Sequence, residues 1–569
     1  MRKFLLLTLL LLTVILAIKQ YYDRQNVSQP LLTESTLEVA PQALEVDTTP
    51  AFIKAVHYFS SSWPKTFWGD FEQSQVENDF AQIKADGFNT VILVVPWMGF
   101  ELGFEDGEPE PSFLYDRLEW LLTKIDETGL DYGLRISFPS SFDPAVGIDN
   151  RELCTEMFIN SSLREEWHRY VARLAQRVDQ HRDSFRFAFF SWEDFFCPYV
   201  AIPAMDEYQR IDIANQSGYQ AWLAKYYPKQ LVEKYYQRSF NSMDSVPVPN
   251  RESPAFWFFF RFVDQFLVDQ LVMPAREVLP ELAMEVRVDK DIIHDGDETF
   301  WMEHDMAITD DQLRGTYWAP YNGAKNTGEF LTASQALFNF DYKLNEITDR
   351  GKNINHFVEQ FNFVDNTPAF AGYHAQIEPG ELSAFLEGSA DLLKQKSMGY
   401  GLWAYRGYPD SAIYNSSFEL GLRGWDLQGE AATVTNDDGD QALHLQAGAE
   451  ISQTFAPYDR FAGLTPSEQI TFCANFSLLD NPTRITLLLD ESTVGTIDVK
   501  ETAHHCATLD AQAFKRLEIK FAIASDTEIQ IDDLRLYSYV QTLGVYDEYG
   551  QPGPIRDLVV RLNKVWLDD

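Results

Sequence analysis

The stretch Phe88–Trp97, FNTVILVVPW, is apolar without alternation, and both of its neighbours have a different rhythm. SQVENDFAQIKADG (74–87) before it and LYDRLEWLLTKIDETG (114–129) after it repeat apolar residues at helical spacing. A continuous β-branched run between two helices predicts a strand covered on both faces, and therefore a parallel βαβ unit. The beat extends both ways. FIKAVHYF (52–59) precedes it; DYGLRISF (131–138), the helical SLREEWHRYVARLAQRVDQH (162–181) and FRFAFFSWED (185–194) follow. LAMEVRV (282–288), GTYWAPY (315–321), NINHFVEQF (353–361) and MGYGLWAY (398–405) bring the strands to eight. Eight repeats predict an α/β fold, a (β/α)8 TIM barrel over residues 51–410, rather than an open doubly wound sheet, and no Gly-rich phosphate fingerprint follows the first strand.

SPAFWFFFRFVDQFLVDQLVMP (253–274) has a membrane-like composition, but Arg261, Asp264 and Asp269 interrupt it and Ser253-Pro254 suits a helix start. It reads as an amphipathic barrel helix. From Ser411 the rhythm changes to short alternating strands with polar turns, such as ITFCANFSLL and EIQIDDLRLYSY, which predicts an all-β sandwich over 411–539. Residues 540–569 form a return segment. The helical pattern from Pro554 to Trp566 is expected to supply the eighth barrel helix, which makes the sandwich an insert between strand and helix; a plain C-terminal tail is the other reading.

At 569 residues the chain exceeds the ~250–300 at which single cores stop growing, in keeping with two domains. The excess of 86 Asp+Glu over 46 Lys+Arg gives a formal charge of −40, which repels nucleic acid and anionic lipid. Arg2 and Lys3 followed by the apolar run Phe4–Ile18 mark residues 1–26 as an export signal or anchor, ahead of a flexible linker at 27–50. The body is expected outside the cytoplasm, anchored facing the periplasm or cell exterior, or secreted if the segment is cleaved. Membrane contact is expected through that segment only. In an oxidising compartment the four cysteines invite two disulfides, Cys154 with Cys197 and Cys473 with Cys506, against the alternative of four buried thiols. No HExxH or CxxC occurs, and no cofactor is expected.

Active sites of such barrels lie at the C-terminal ends of the strands. Glu193 and Asp194 end strand four, and Glu359 lies at the end of strand seven. Side chains alternate along a strand, so only one of Glu193 and Asp194 is expected to point into the barrel mouth. A carboxyl flanked by Trp192, Phe195 and Phe196 is partly desolvated, which suits it to donate a proton near neutral pH. Two facing carboxylates are what glycoside hydrolysis needs. As structural alternatives, either acid is an ordinary paired strand-end carboxylate, His57 a satisfied core histidine and Trp403 plain packing.

This pattern resembles the clan A glycoside hydrolases, over residues 51–410 and the final helix. The resemblance implies Glu193 as acid/base and Glu359 as nucleophile of a retaining enzyme acting on a polysaccharide or oligosaccharide. It implies that Tyr317 on strand six contacts the nucleophile, that Trp403 on strand eight lies under the sugar, and that Arg135 on strand three steadies the nucleophile. His57, Tyr58, Trp97 and Asp194 would complete the cleft. The chain departs from the clan at Trp192, where Asn is usual and binds the 2-hydroxyl. That leaves an unusual sugar, a different strand alignment or lost catalysis, and keeps alive a non-catalytic polysaccharide-binding protein of an export or surface assembly system. A transglycosylase would use the same two acids. The sandwich, opening NSSFELGLRGW and closing IDDLRLYSY, resembles jelly-roll carbohydrate-binding modules, which implies Glu419 and Asp533 as candidates for a structural calcium.

Overall fold

The computed structural model describes residues 52–62, 66–69, 72–102, 110–111, 113–137, 150–190, 196–286, 288–291, 300–303, 314–351, 356–364, 374–409, 411, 413–435, 441–455, 469–478, 481–489, 492–510, 519–541 and 544–568. Eight parallel strands form one sheet: β1 (Ile53–His57), β2 (Thr90–Pro96), β3 (Asp131–Ser137), β4 (Phe185–Phe190), β5 (Leu282–Met284), β6 (Arg314–Trp318), β7 (His356–Phe361) and β8 (Gly399–Leu402). They are ordered β6-β7-β8-β1-β2-β3-β4-β5. The edges meet where the Val286 amide donates to the Gly315 carbonyl at 2.9 Å and Val286 bridges Thr316, so the sheet closes into a barrel.

The helices that wrap it include α1 (Gln73–Ala85), α2 (Leu114–Thr128), α3 (Ser161–Gln180), α4 (Phe256–Leu267), α5 (Ala333–Gly351) and α6 (Leu382–Lys396). Local sequence sets their ends: the Asn160 side chain caps α3 by accepting from the Ser162 and Leu163 amides, and Gly129, at φ 69°, closes α2. The apolar run of β2 serves both faces of the sheet. Val91, Leu93 and Val95 face the helices in the main core, whereas Ile92 joins a small cluster inside the barrel with Ala55, Phe187, Phe189, Ala283 and Phe357. Three phenylalanine rings, 187, 189 and 357, sit 4.7–5.4 Å apart there and plug the lumen. Gly133 makes room for the plug, because a Cβ would lie 1.9 Å from the Phe187 ring.

Two elaborations interrupt the beat. Between β4 and α4 the chain runs through four short helices, 196–201, 207–216, 219–226 and 229–236, which pack against α4 through Tyr199, Tyr219 and Trp222. After β8 it leaves for two five-stranded antiparallel sheets around a separate core containing Phe418, Leu443, Ile451, Phe472 and Phe521. In that sandwich Cys473 and Cys506 sit opposite one another on neighbouring strands and form a disulfide, with a Cα–Cα distance of 4.1 Å. Cys154 is disulfide-bonded as well; the side chain of Cys197, its expected partner, lies outside the described residues.

The chain departs and returns at one place. Tyr408-Pro409 pairs antiparallel with Val540-Gln541, and Arg406 bridges Tyr546. The last helix, α7 (Arg556–Arg561, extended by a π-helical turn Leu562–Trp566), then docks on the barrel. Its Asn563 accepts from the Tyr400 hydroxyl (2.6 Å), donates to the Asp86 carbonyl (3.2 Å) and receives Lys54 on its own carbonyl (3.0 Å). The sandwich is tied to the barrel by an Arg117–Glu419 ion pair at 2.8 Å and by Ser417 donating to the Gly69 carbonyl. Barrel and sandwich belong to one compact unit, Ala51–Asp569. Among the described residues no helix is long and apolar enough to cross a membrane; residues 1–51 lie outside them.

Candidate active site

Above the phenylalanine plug the lumen becomes polar. Alternate strands β1, β3 and β7 contribute His57, Arg135 and Glu359, and Glu285 directly follows β5; all four side chains are fully buried. Layers built from every second strand are the normal filling of such a barrel, but a layer of charges at the C-terminal end is what a reaction needs rather than what packing needs. Arg135 is the hub. Its Nη2 lies 2.8 Å from Glu285 Oε2, and its Nη1 lies 3.4 Å from Glu359 Oε2 and 3.3 Å from His57 Nε2. One guanidinium therefore faces two carboxylates and an imidazole, in surroundings where charges interact strongly.

The imidazole is neutral. Burial, and after it the Arg135 cation, push its pKa well below the ordinary histidine value, against the Leu402 hydrogen bond and the Glu285 charge. The Leu402 carbonyl can only accept, so Nδ1, 3.2 Å away, carries the proton and Nε2 presents a lone pair. That lone pair stands 3.3 Å from Glu359 Oε2, and the two share Arg135 Nη1 between them.

Two backbone features aim Glu359. The register between β6 and β7 pairs Thr316 with Val358 and Tyr317 with Gln360, which steps over Glu359: the glutamate is the extra residue of a β-bulge. Beside it Gly315 leaves the space its side chain fills, since a Cβ at 315 would lie 2.5 Å from Glu359 Cγ and 2.9 Å from the Phe189 ring. Gly315→Ala is accordingly expected to cost about 1–3 kcal/mol of stability through overpacking and to displace the carboxylate. Urea titration beside an activity assay reads both effects; an unchanged midpoint would mean that the strand yields freely.

Trp403 closes the group from β8. Its ring lies 4.9 Å from that of His57 and 5.0 Å from that of Phe59, and its indole N–H donates to the Tyr408 hydroxyl at 3.1 Å. Tyr317 is the penultimate residue of β6, its hydroxyl accepting from Asn322 Nδ2 at 3.2 Å and its ring centroid 5.8 Å from Lys343 Nζ.

Of the residues expected from sequence, the fold gathers His57, Arg135, Glu359 and Trp403. Trp192, Glu193 and Asp194 lie outside the described residues. Tyr58 belongs elsewhere: it follows His57 on the opposite face, where its hydroxyl donates to Asp79 at 2.9 Å and its ring meets Phe67 and Phe80. Trp97 likewise turns away from the cleft, opening a short helix (Trp97–Phe100) and filling the main core at 0 % exposure. Both residues expected to hold calcium contact arginines. Glu419 is met by Arg117 and the Gln441 amide, Asp533 by Arg535 Nε at 2.8 Å, and among the described residues the two do not fall in a metal-sized cluster. Trp425 packs on Phe418 in the sandwich core, its N–H on the Asn415 carbonyl. Glu285 is the residue that sequence reading missed. Its signal was a lone glutamate within the apolar strand LAMEVRV, where an unpartnered charge would be costly.

The sequence matches no protein-family model and no curated protein. Solved structures that resemble the chain include an exo-beta-1,4-mannosidase from Opitutaceae bacterium strain TAV5, at 14 % identity over 63 % of this chain and 53 % of that one, with a TM-score of 0.38. They also include the GH5_18 protein from Streptomyces cattleya in complex with GlcNAc, at 12 % identity over 63 % and 71 %, with a TM-score of 0.39. A shorter match, TmCBM61 in complex with beta-1,4-galactotriose, covers 23 % of this chain and 99 % of that one at 17 % identity and a TM-score of 0.18. The chain spans about half the length of the mannosidase.

Proposed function

We propose that this protein is a retaining glycoside hydrolase of polysaccharides, with Glu359 as nucleophile and Glu193 as acid/base. The observation that carries the reading is the placement of Glu359. It is a buried carboxylate near the C-terminal end of a barrel strand, aimed by a bulge and a glycine and paired with Arg135. A carboxylate so held has little conformational freedom to lose on reaching the anomeric carbon. In the first step a Glu359 oxygen bonds to the anomeric carbon while the glycosidic bond breaks, and the departing oxygen takes a proton from Glu193. In the second, Glu193 removes a proton from water, whose oxygen displaces Glu359 and restores both carboxyls. Arg135 stabilises the carboxylate each time it is free.

The reading extends to an exported protein held at the membrane by residues 1–26. The Cys473–Cys506 disulfide supports an oxidising compartment. Trp192, in place of the usual asparagine, favours one rival, a non-catalytic polysaccharide-binding protein. Residues 27–569 incubated with a panel of soluble polysaccharides decide between them: hydrolysis releases reducing ends, whereas a binding protein is retarded in glycan-containing gels and releases none. A transglycosylase would lengthen some chains as it shortens others.

A further inference from the structure

In the sandwich, the strands Gln469–Leu478 and Ala503–Asp510 lie side by side, with Cys473 and Cys506 directly opposite one another. His504, two residues before Cys506, shares its face of the sheet. We propose that reduction of the Cys473–Cys506 disulfide turns this group into a zinc site, with both sulfurs and His504 Nε2 as ligands. The edge of the sandwich is then held by a disulfide in oxidising surroundings and by a metal in reducing ones. The inference is independent of what the barrel catalyses.

The ligand atoms are already together: Cys473 Sγ, Cys506 Sγ and a ring nitrogen of His504 lie within 4.8 Å of one another. Tetrahedral zinc, with Zn–S of ~2.3 Å and Zn–N of ~2.0–2.1 Å, sets a sulfur and a nitrogen about 3.5 Å apart. His504 Nε2 stands 3.5 Å from Cys506 Sγ. The same geometry needs the two sulfurs only about 3.8 Å apart, within reach of side chains whose Cα atoms are separated by 4.1 Å.

The imidazole is also turned correctly. Asn475 Oδ1 can only accept and lies 2.8 Å from His504 Nδ1, so the ring proton is there and Nε2 shows its lone pair to Cys506. A disulfide sulfur has no proton to offer that lone pair, whereas a thiolate and an imidazole can bind one metal ion, with the asparagine fixing the ring from behind. His505 takes no part: it faces the other side of the strand, its ring 6.0 Å from that of Phe476.

The frame outlasts the disulfide. Backbone pairing continues on both sides of the cysteines, from Gln469 with Asp510 to Phe476 with Ala503, so the thiols stay together once the bond opens. Ala503–Asp510 is the edge strand of its sheet, and His504 and Cys506 are exposed on it. A metal can enter from solvent there, and water supplies the fourth ligand. A dithiol serves as reductant: its sulfurs join in a disulfide and give two electrons and two protons to the Cys473–Cys506 bond, which becomes two thiols. Their protons pass to solvent when the metal takes the thiolates.

The test uses residues 27–569, reduced with dithiothreitol under nitrogen, freed of it by gel filtration and titrated with Co2+ and then Zn2+. Reduced wild type should develop the thiolate-to-cobalt absorption and the visible bands of tetrahedral cobalt, both bleached by Zn2+; the oxidised protein should develop neither. Cys473→Ser combined with Cys506→Ser keeps Cys154 and Cys197 and should remain without bands after reduction. His504→Ala should bind Co2+ at least about 10-fold more weakly, and Asn475→Ala on the order of 10-fold more weakly. Reduced wild type without the bands, bands that persist in the double variant, or unchanged affinity in His504→Ala overturns the inference. Should reduction unfold the sandwich, Zn2+ present throughout is expected to preserve its near-ultraviolet circular dichroism, and equal loss with and without Zn2+ overturns the inference as well.

Discussion

Glu359→Gln is expected to lose about 10⁴-fold or more of glycan cleavage while unfolding at nearly the wild-type temperature. The two halves of this expectation have different causes. An amide oxygen is too weak a nucleophile to form a glycosyl ester, so the first displacement stops. The same amide oxygen can still lie against Arg135 Nη1 and occupies the space beside Gly315, so packing is kept. A companion experiment separates a nucleophile from a merely necessary side chain. In Glu359→Ala a small anion such as azide can enter the vacated volume and attack the anomeric carbon directly. One displacement instead of two gives a glycosyl azide of inverted configuration, and recovery of that product identifies the missing group as the nucleophile. Glu193→Gln should behave otherwise, because its deficit is a proton. Cleavage of an aryl glycoside, whose phenolate leaves unaided, should survive far better than cleavage of a polysaccharide. Equal loss on both substrates would remove Glu193 from the acid/base role.

Arg135→Met should be the most destabilising single change at the site, by about 3–5 kcal/mol, since it removes the cation that two fully buried carboxylates contact. Methionine replaces the aliphatic stem and fills most of the volume, so a cavity is not the main cost. The origin can be read from pH. Losing a cation costs a buried carboxylate most while it is charged, so the gap from wild type should narrow as pH falls. Urea titrations of both proteins at pH 7 and pH 5 measure it. A gap that stays constant would assign the loss to packing. Adding Glu285→Gln to Arg135→Met removes one stranded charge and should restore part of the stability, whereas independent sites would simply add their losses.

Much of the architecture is legible because each barrel strand is short, apolar and followed by a helix with its own period, as FNTVILVVPW shows. The helical excursion at 207–236 is not, because it carries no strand and adds nothing to the alternation on which the reading depends. Within the site, His57, Arg135 and Glu359 stand out as ionisable residues toward the C-terminal ends of apolar strands. Tyr58 was drawn in by adjacency, although consecutive residues of an extended chain face opposite ways, and its ring found Asp79 and α1 instead. Trp97 follows the last residue of β2, where the chain turns helical and parity no longer applies. The bulge at Glu359 has no sequence mark at all: it is a property of the pairing with β6, fixed by how two strands meet and not by either one alone.

The pairing of Tyr408-Pro409 with Val540-Gln541 sets a timetable for synthesis. When β8 leaves the ribosome, the surface around Lys54, Asp86 and Tyr400 still lacks α7, whose Asn563 binds all three. Roughly 130 residues of sandwich are made in between, which at ~5–20 residues per second is a delay on the order of ten seconds. During that interval the sandwich, whose sheets are complete in themselves, can finish folding while the barrel waits open. The helix made after the sandwich is therefore the one that locks a barrel begun before it, and a chain cut just ahead of Arg556 would carry a finished sandwich on an unfinished barrel.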